Sequence, residues 1–184
     1  ELSKRFPAPT TQGEMQKIQE TLRAEGIDFQ NFYQELEMSD PLVETHRDVS
    51  YSNSQLSLHS HTFYEIVCCR STCGAEYLVG SHRYALQKGD IILIRPGVSH
   101  CAILPDPLQI PYERDVIWLS TAFQNGFQKL LGFPPVSYEI ERPTYMIRTL
   151  GTPQEYLCDM IHMGVLEEQK KQQSKKLSAL VNQV

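Results

Sequence analysis

His59-Ser60-His61-Thr62-Phe63-Tyr64-Glu65, with the later Gly89-Asp90-Ile91-Ile92-Leu93-Ile94-Arg95-Pro96-Gly97-Val98-Ser99-His100, decides how this chain is read. Short runs of β-forming residues lie between the two pieces, broken at Gly74, Gly80-Ser81 and Lys88-Gly89. A strand sends alternate side chains to one face, so His59, His61 and Glu65 point the same way if the strand is regular through them. Imidazoles at i and i+2 stand ~6.7 Å apart along a strand, which suits two ligands of one metal. A carboxylate at Glu65 and a further imidazole from a neighbouring strand complete a donor set that non-haem iron, zinc or manganese accept. In the second piece Gly89-Asp90 opens a strand, apolar residues fill it, and Pro96-Gly97 turns the chain so that His100 returns toward the first piece.

Working outward, strands are expected near residues 61–69, 75–79, 82–86, 91–95, 99–104 and 112–120. Strands so short and so closely spaced imply a sandwich or barrel rather than alternating strands and helices. Upstream, residues 1–12 are polar and carry Pro7 and Pro9, which favours an extended arm. Met15, Ile18 and Leu22 recur at helical spacing between Glu14 and Ala24, and Gly26 is a natural stop. From Phe32 to Ser57 the pattern becomes short extended pieces with turns at Ser39-Asp40-Pro41 and Ser52-Asn53-Ser54.

Downstream, Phe123, Phe127, Leu130 and Leu131 predict a short helix ended by Pro134-Pro135. Thr152 as N-cap, Pro153 at the first helical position and Glu155 beyond it form a capping box. Leu157, Met160, Ile161 and Val165 then make one apolar stripe. After a polar bend at Gln172 to Ser174, Leu177, Leu180, Val181 and Val184 make a second. Both stripes cannot be buried on a small barrel whose outer face is covered by residues 123–131, so one of them is expected to pack on a second subunit.

A chain of 184 residues with 41% apolar and 21% charged residues suits one domain with an appendage. A net charge of −5 disfavours a direct grip on nucleic acid, because phosphate binding needs a basic face. The run Lys170-Lys171 and Lys175-Lys176 reads as a solvated helix face. With no apolar run long enough for a bilayer and no signal peptide, the expectation is a cytoplasmic protein without membrane contact. The five cysteines include no Cys-x-x-Cys pair and are expected to be free thiols. A first residue Glu rather than Met, and an end within a helical pattern, suggest further sequence after Val184.

Taken together, His-x-His-x3-Glu and Gly-Asp-x5-Pro-Gly-x2-His resemble the two sequence motifs of the cupin barrel. With Phe63-Tyr64-Glu65-Ile66, Gly89 to Ile94, Pro111-Tyr112-Glu113-Arg114-Asp115-Val116 and the helical tail, residues 30 to 184 resemble the N-terminal sensor domain of AraC-type transcriptional regulators. The chain departs from the cupin pattern at Asn53 and Thr72, where Gly is usual, at Arg95, where Pro is usual, and at Leu104, where Asn is usual.

The resemblance implies a mostly β protein, a cupin-like double-stranded β-helix or jelly-roll barrel with a short N-terminal helix and a C-terminal two-helix tail. It divides the chain into an arm and helix at 1–30, a barrel at 31–150 and a helical dimerisation segment at 151–184. A helix-turn-helix DNA-binding domain is expected beyond the tail. The implied function is effector sensing, not catalysis: a small polar molecule, such as a sugar, binds inside the barrel of a homodimer and controls DNA binding by that further domain. Expected ligand contacts are His59, His61, Glu65, Tyr77, Tyr84, Arg95, His100, Tyr112, Arg114 and Trp118. The dimer contacts are Leu157, Met160, Ile161, Val165, Leu177, Leu180 and Val181. No cofactor is expected in this role. The alternative is a metal-dependent cupin isomerase or dioxygenase that holds zinc, manganese, iron or nickel with His59, His61, Glu65 and His100.

Overall fold

Gly74, Gly80 and Gly89 mark chain reversals in the computed structural model, which describes residues 10–27, 29, 31–132 and 146–181. All three have positive φ (78°, 56° and 92°), a region open mainly to glycine. The strands are β1 (Asn31–Leu36), β2 (Val43–Ser50), β3 (Ser57–His61), β4 (Tyr64–Cys69), β5 (Glu76–Val79), β6 (His82–Ala85), β7 (Asp90–Ile94), β8 (His100–Ile103), β9 (Tyr112–Leu119) and β10 (Met146–Arg148). Each expected strand is present within a residue or two, except that the 61–69 stretch is divided between β3 and β4. The helices are α1 (Gln12–Ala24), α2 (Thr121–Leu131) and α3 (Tyr156–Val181).

The strands form two five-stranded sheets, ordered β1-β3-β8-β5-β6 and β10-β7-β4-β9-β2. Val67, Tyr77, Val79, Ile92, Ile94, Val98, Ala102, Tyr112 and Val116 fill the space between them. Strand alternation supplies this core: Cys69 faces it, while the adjacent Cys68 faces outward beneath α3. Five cysteines are free thiols.

Helix α1 covers the first sheet, placing Met15 and Leu22 on Leu58, Leu78, Cys101 and Ile103. Its capping box is complete, with the Thr11 hydroxyl accepting from Glu14 N–H and the Glu14 carboxylate accepting from Thr11 N–H. Helix α3 covers the second sheet. Arg70 donates to the Cys158 carbonyl and to Asp159, and His162 Nδ1 lies 2.8 Å from the buried Asp115.

Several expectations are corrected here. The tail is one continuous helix through Gln172 to Ser174, not two, because Gln, Lys and Ser are all tolerated in a helix and no Pro interrupts them. That helix starts at Tyr156, so Thr152 and Glu155 belong to the turn before it: Thr152 accepts from Gln154 N–H and Glu155 accepts from Gly151 N–H. Helix α2 ends at Gly132 in the left-handed conformation, ahead of Pro134-Pro135. It buries none of its residues, so the barrel's outer face is free for α3.

Accordingly Leu157 and Ile161, expected at a dimer contact, pack on the chain's own second sheet with Cys158, Ile66, Ile91 and Leu93, and Val165, also expected there, is buried within the single chain. At 100° per residue they share one face, while Met160 falls off it and stays exposed. Leu177, Leu180 and Val181 lie in α3, but their side chains are outside the described residues, as are Val184, the Pro7/Pro9 arm and Pro134-Pro135. Among the described residues no helix is long and apolar enough to cross a membrane.

Candidate metal centre

His59 on β3 and His100 on β8 are direct cross-strand partners, and their rings stand 4.2 Å apart. His61 ends β3, and the chain then turns through Thr62-Phe63 into β4 of the opposite sheet. The strand is therefore not regular from His59 to Glu65, as the sequence reading supposed. Glu65 reaches the histidines from the facing sheet because the corner folds it back over His61. Donor atoms of His59, His61, Glu65 and His100 all lie within 4.8 Å of one another.

Each imidazole is held by its Nδ1. The partners are the Ser57 carbonyl at 2.9 Å for His59, the Phe63 carbonyl at 2.9 Å for His61 and the Val98 carbonyl at 2.8 Å for His100. A carbonyl oxygen only accepts, so each Nδ1 carries a proton, and a ring in its neutral form presents its Nε2 lone pair. His61 Nε2, His100 Nε2 and Glu65 Oε2 are buried without a hydrogen-bond partner. His100 Nε2 nevertheless approaches Glu65 Oε2 to 2.8 Å, and His61 Nε2 lies 3.5 Å from it. A positive charge among these atoms, an imidazole proton or a metal ion, stabilises so close an approach.

The electrostatics agree. Burial, reinforced by His100, pushes His59 down to about 3, so its ring is neutral. Burial works against the Glu65 charge, but the closeness of His100, with His61 and His59 beside it, outweighs that and holds the carboxyl well below its usual range. Glu65 Oε1 accepts from Trp118 Nε1, leaving Oε2 for the cluster. Imidazoles tethered at Nδ1, an ionised and oriented carboxylate, and inner atoms turned toward one another fit a divalent transition metal.

A cavity of about 170 Å³ adjoins the cluster. Of the expected ligand contacts, His59, Glu65, Tyr77, Arg114 and Trp118 line it. His61 and His100 are buried behind it. Three expectations are corrected. Tyr84 sits on the edge strand β6 opposite Tyr77, half-buried at the margin of the core and not in this lining. Arg95 follows β7 and is not in the lining. Tyr112 is fully buried, with the Arg114 guanidinium 4.9 Å from its ring centroid.

The lining also includes Leu36, Asp48, Gln55, Leu56, Ser57, Val67, Ala102 and Val116, none of them expected as ligand contacts. Val116 could have been found, since it shares the β9 alternation with Arg114 and Trp118. Asp48 could not: its placement depends on β2 pairing with β9, which sets Asp48 opposite Arg114. Glu113, on the opposite face of β9, pairs with Arg47 at 3.6 Å.

No protein-family model and no curated protein matches the chain. Solved structures do. A cupin 2 conserved barrel domain protein from Salinispora arenicola is 22% identical, with 50% of this chain and 75% of that one covered and a TM-score of 0.38. The DMSP lyase DddQ from Ruegeria pomeroyi is 19% identical over 45% of this chain and 40% of its own, with a TM-score of 0.38. Salicylate 1,2-dioxygenase from Pseudoaminobacter salicylatoxidans is 12% identical over 59% of this chain and 37% of its own, with a TM-score of 0.43.

The expectation that the chain is not an enzyme is overturned by the His59/His61/Glu65/His100 cluster. The cluster can bind a metal, and the two sheets that carry it make a cupin-like β-barrel.

Proposed function

We propose that this chain is a metal-dependent enzyme built on the cupin-like barrel, with His59, His61, His100 and Glu65 as the ligands of iron, manganese, zinc or nickel. The observation that carries the reading is the convergence of these donors within 4.8 Å while every Nδ1 is tied to a backbone carbonyl. A metal held there supplies Lewis acidity toward a substrate oxygen. The protein's own groups prepare the rest. Ser57, Phe63 and Val98 fix the ring orientations and tautomers through their carbonyls, and Trp118 fixes the carboxylate. The apolar walls Leu56, Val67, Ala102 and Val116 lower the polarity beside the cluster, which strengthens charge interactions there.

The test is metal analysis of protein purified without chelator and then offered each of the four metals. One equivalent bound tightly, and lost in the His61→Ala/His100→Ala double variant, is expected. Failure to bind any of them stoichiometrically overturns the proposal.

A second reading places the same barrel in a homodimeric AraC-type regulator, where occupancy of the cavity is signalled to a DNA-binding domain. It is favoured by Tyr156, Met160 and Met163, large side chains of α3 that are exposed on the single chain. Light scattering at micromolar concentration tests it, and a monomer removes it.

A further inference from the structure

The cavity beside the cluster is asymmetric. One end carries His59, Glu65 and Trp118, the middle is walled by apolar side chains, and Arg114 is at the other end. Among the described lining residues Arg114 is the only Lys or Arg. It stands four residues from Trp118 on the same face of β9, which is ~13 Å along the strand, and both side chains touch one continuous space.

Arg114 is built into place rather than left on the surface, with a side chain only 16% exposed. Its guanidinium stacks over Tyr112 and donates through one terminal nitrogen to the Ser50 hydroxyl at 3.0 Å. Its charge partner, Asp48, is 3.5 Å away and 44% exposed. That is longer than the ~2.7–2.9 Å of a charge-assisted hydrogen bond, and a pair so open to water is weak. A guanidinium has five N–H donors in a planar fork that matches a carboxylate bidentately.

We propose that Arg114 is the substrate-anchoring residue of this site, and that the substrate is a small carboxylic acid. Its carboxylate pairs with Arg114, its apolar body fills the middle, and an oxygen-bearing group lies at the His59/Glu65 end. The size follows from the space: a cavity of about 150 Å³ takes a molecule as large as benzene, and this one has about 170 Å³. Asp48 is the internal competitor that the acid displaces, which tunes affinity and keeps Arg114 paired when the cavity is empty. This inference rests on the metal reading for its catalytic setting, but the anion recognition is read separately.

The test uses the full chain loaded with manganese and titrates benzoate and butyrate against benzamide and butyramide by calorimetry, with metal content measured in every sample. The acids are expected to bind at least ~10-fold more tightly than their amides, a difference of ~1.4 kcal/mol. Arg114→Gln removes that preference while metal stoichiometry stays unchanged, Arg114→Lys keeps part of it, and Asp48→Asn strengthens acid binding several-fold. Equal binding of acids and amides, no binding of either, or a preference that survives Arg114→Gln overturns the assignment. In those cases undiminished metal binding leaves the metal reading standing, whereas a wild-type chain that takes up no metal overturns that reading itself. A melting temperature measured for each variant separates loss of the site from loss of the fold, and Asp48→Asn, at an open position, tests the idea without disturbing the core.

Discussion

Glu65 and Trp118 are direct partners in register on β4 and β9, and the indole N–H donates to Glu65 Oε1 at 2.8 Å. This contact turns the other oxygen of the carboxylate toward His61 and His100. Loss of such a supporting hydrogen bond typically costs 10–100-fold in metal affinity. Trp118→Phe keeps an aromatic ring beside Phe63 and His46 but removes the donor. The expected result, measured by competition with a chelator, is metal affinity lowered by about 10–100-fold with the fold retained. An affinity within two-fold of wild type would show that Trp118 only packs.

The metal-free chain is expected to be acid-labile. His59 is depressed from 6.5 to about 3 by burial and by His100, so the unfolded chain takes up a proton at higher pH than the folded one. The stability that depends on a neutral His59 is complete above about 6.5 and is lost as pH falls through the window down to about 3, at ~1.4 kcal/mol per pH unit. Glu65, held below its ordinary range, adds loss of the same sign once pH falls under about 4.5. Urea unfolding of chelator-treated protein at pH 7.5 and 5.5 measures this, and His59→Asn should flatten the dependence. Equal midpoints at both pH values in the wild type contradict it.

Val165 is buried at 1% exposure beneath α3, whereas Met160 on the same helix is 61% exposed. Val165→Ala should destabilise the single chain by about 2 kcal/mol, from two lost methylene equivalents and the cavity left behind. Met160→Ala should change it by no more than about 0.5 kcal/mol. Denaturant midpoints decide between this pattern and its reverse, which would mean that α3 does not pack on its own barrel.

Asp90 is fully buried, and its two carboxylate oxygens accept from Arg148 Nε and a terminal nitrogen at 3.0 Å each, with Gln87 N–H as a further donor. Arg148→Ala strands part of that charge and should cost about 1–3 kcal/mol. Gly89 beside it has φ 92°, and an added Cβ would meet Thr149 Oγ1 at 3.2 Å. Gly89→Ala should therefore destabilise the protein by more than the ~1 kcal/mol scale on which glycine replacement is otherwise beneficial. Thermal unfolding of both variants reads these effects, and unchanged melting would show that the Gly89-Asp90 turn is not structural.

Much of the barrel was legible in the residues. Strand alternation and glycine turns are local, so β4 through β9 could be located from Tyr64 to Leu119 with small boundary errors. The candidate ligands His59, His61, Glu65 and His100 were legible as types at a spacing. What the spacing suggested about their geometry was wrong in one respect: Glu65 joins His61 from the opposite sheet, across a corner at Thr62-Phe63 that strand periodicity cannot show. The helical tail was misjudged for a related reason. Apolar spacing identifies a face of α3 but not its partner, and Leu157 and Ile161 found theirs on the chain's own sheet because α2 does not cover it.

By itself the sequence determined the element types, the turn positions and which side chains carry the chemistry, because backbone sterics and side-chain period act over a few residues. Only the tertiary structure decided that His59 and His100 meet across β3 and β8 and that all three imidazoles are pinned at Nδ1. It alone decided that Arg114 faces Asp48 at the far end of the same cavity. Those relationships depend on strand register and on burial between two sheets, and the same burial that orphans the inner nitrogens turns a row of histidines into a candidate metal centre.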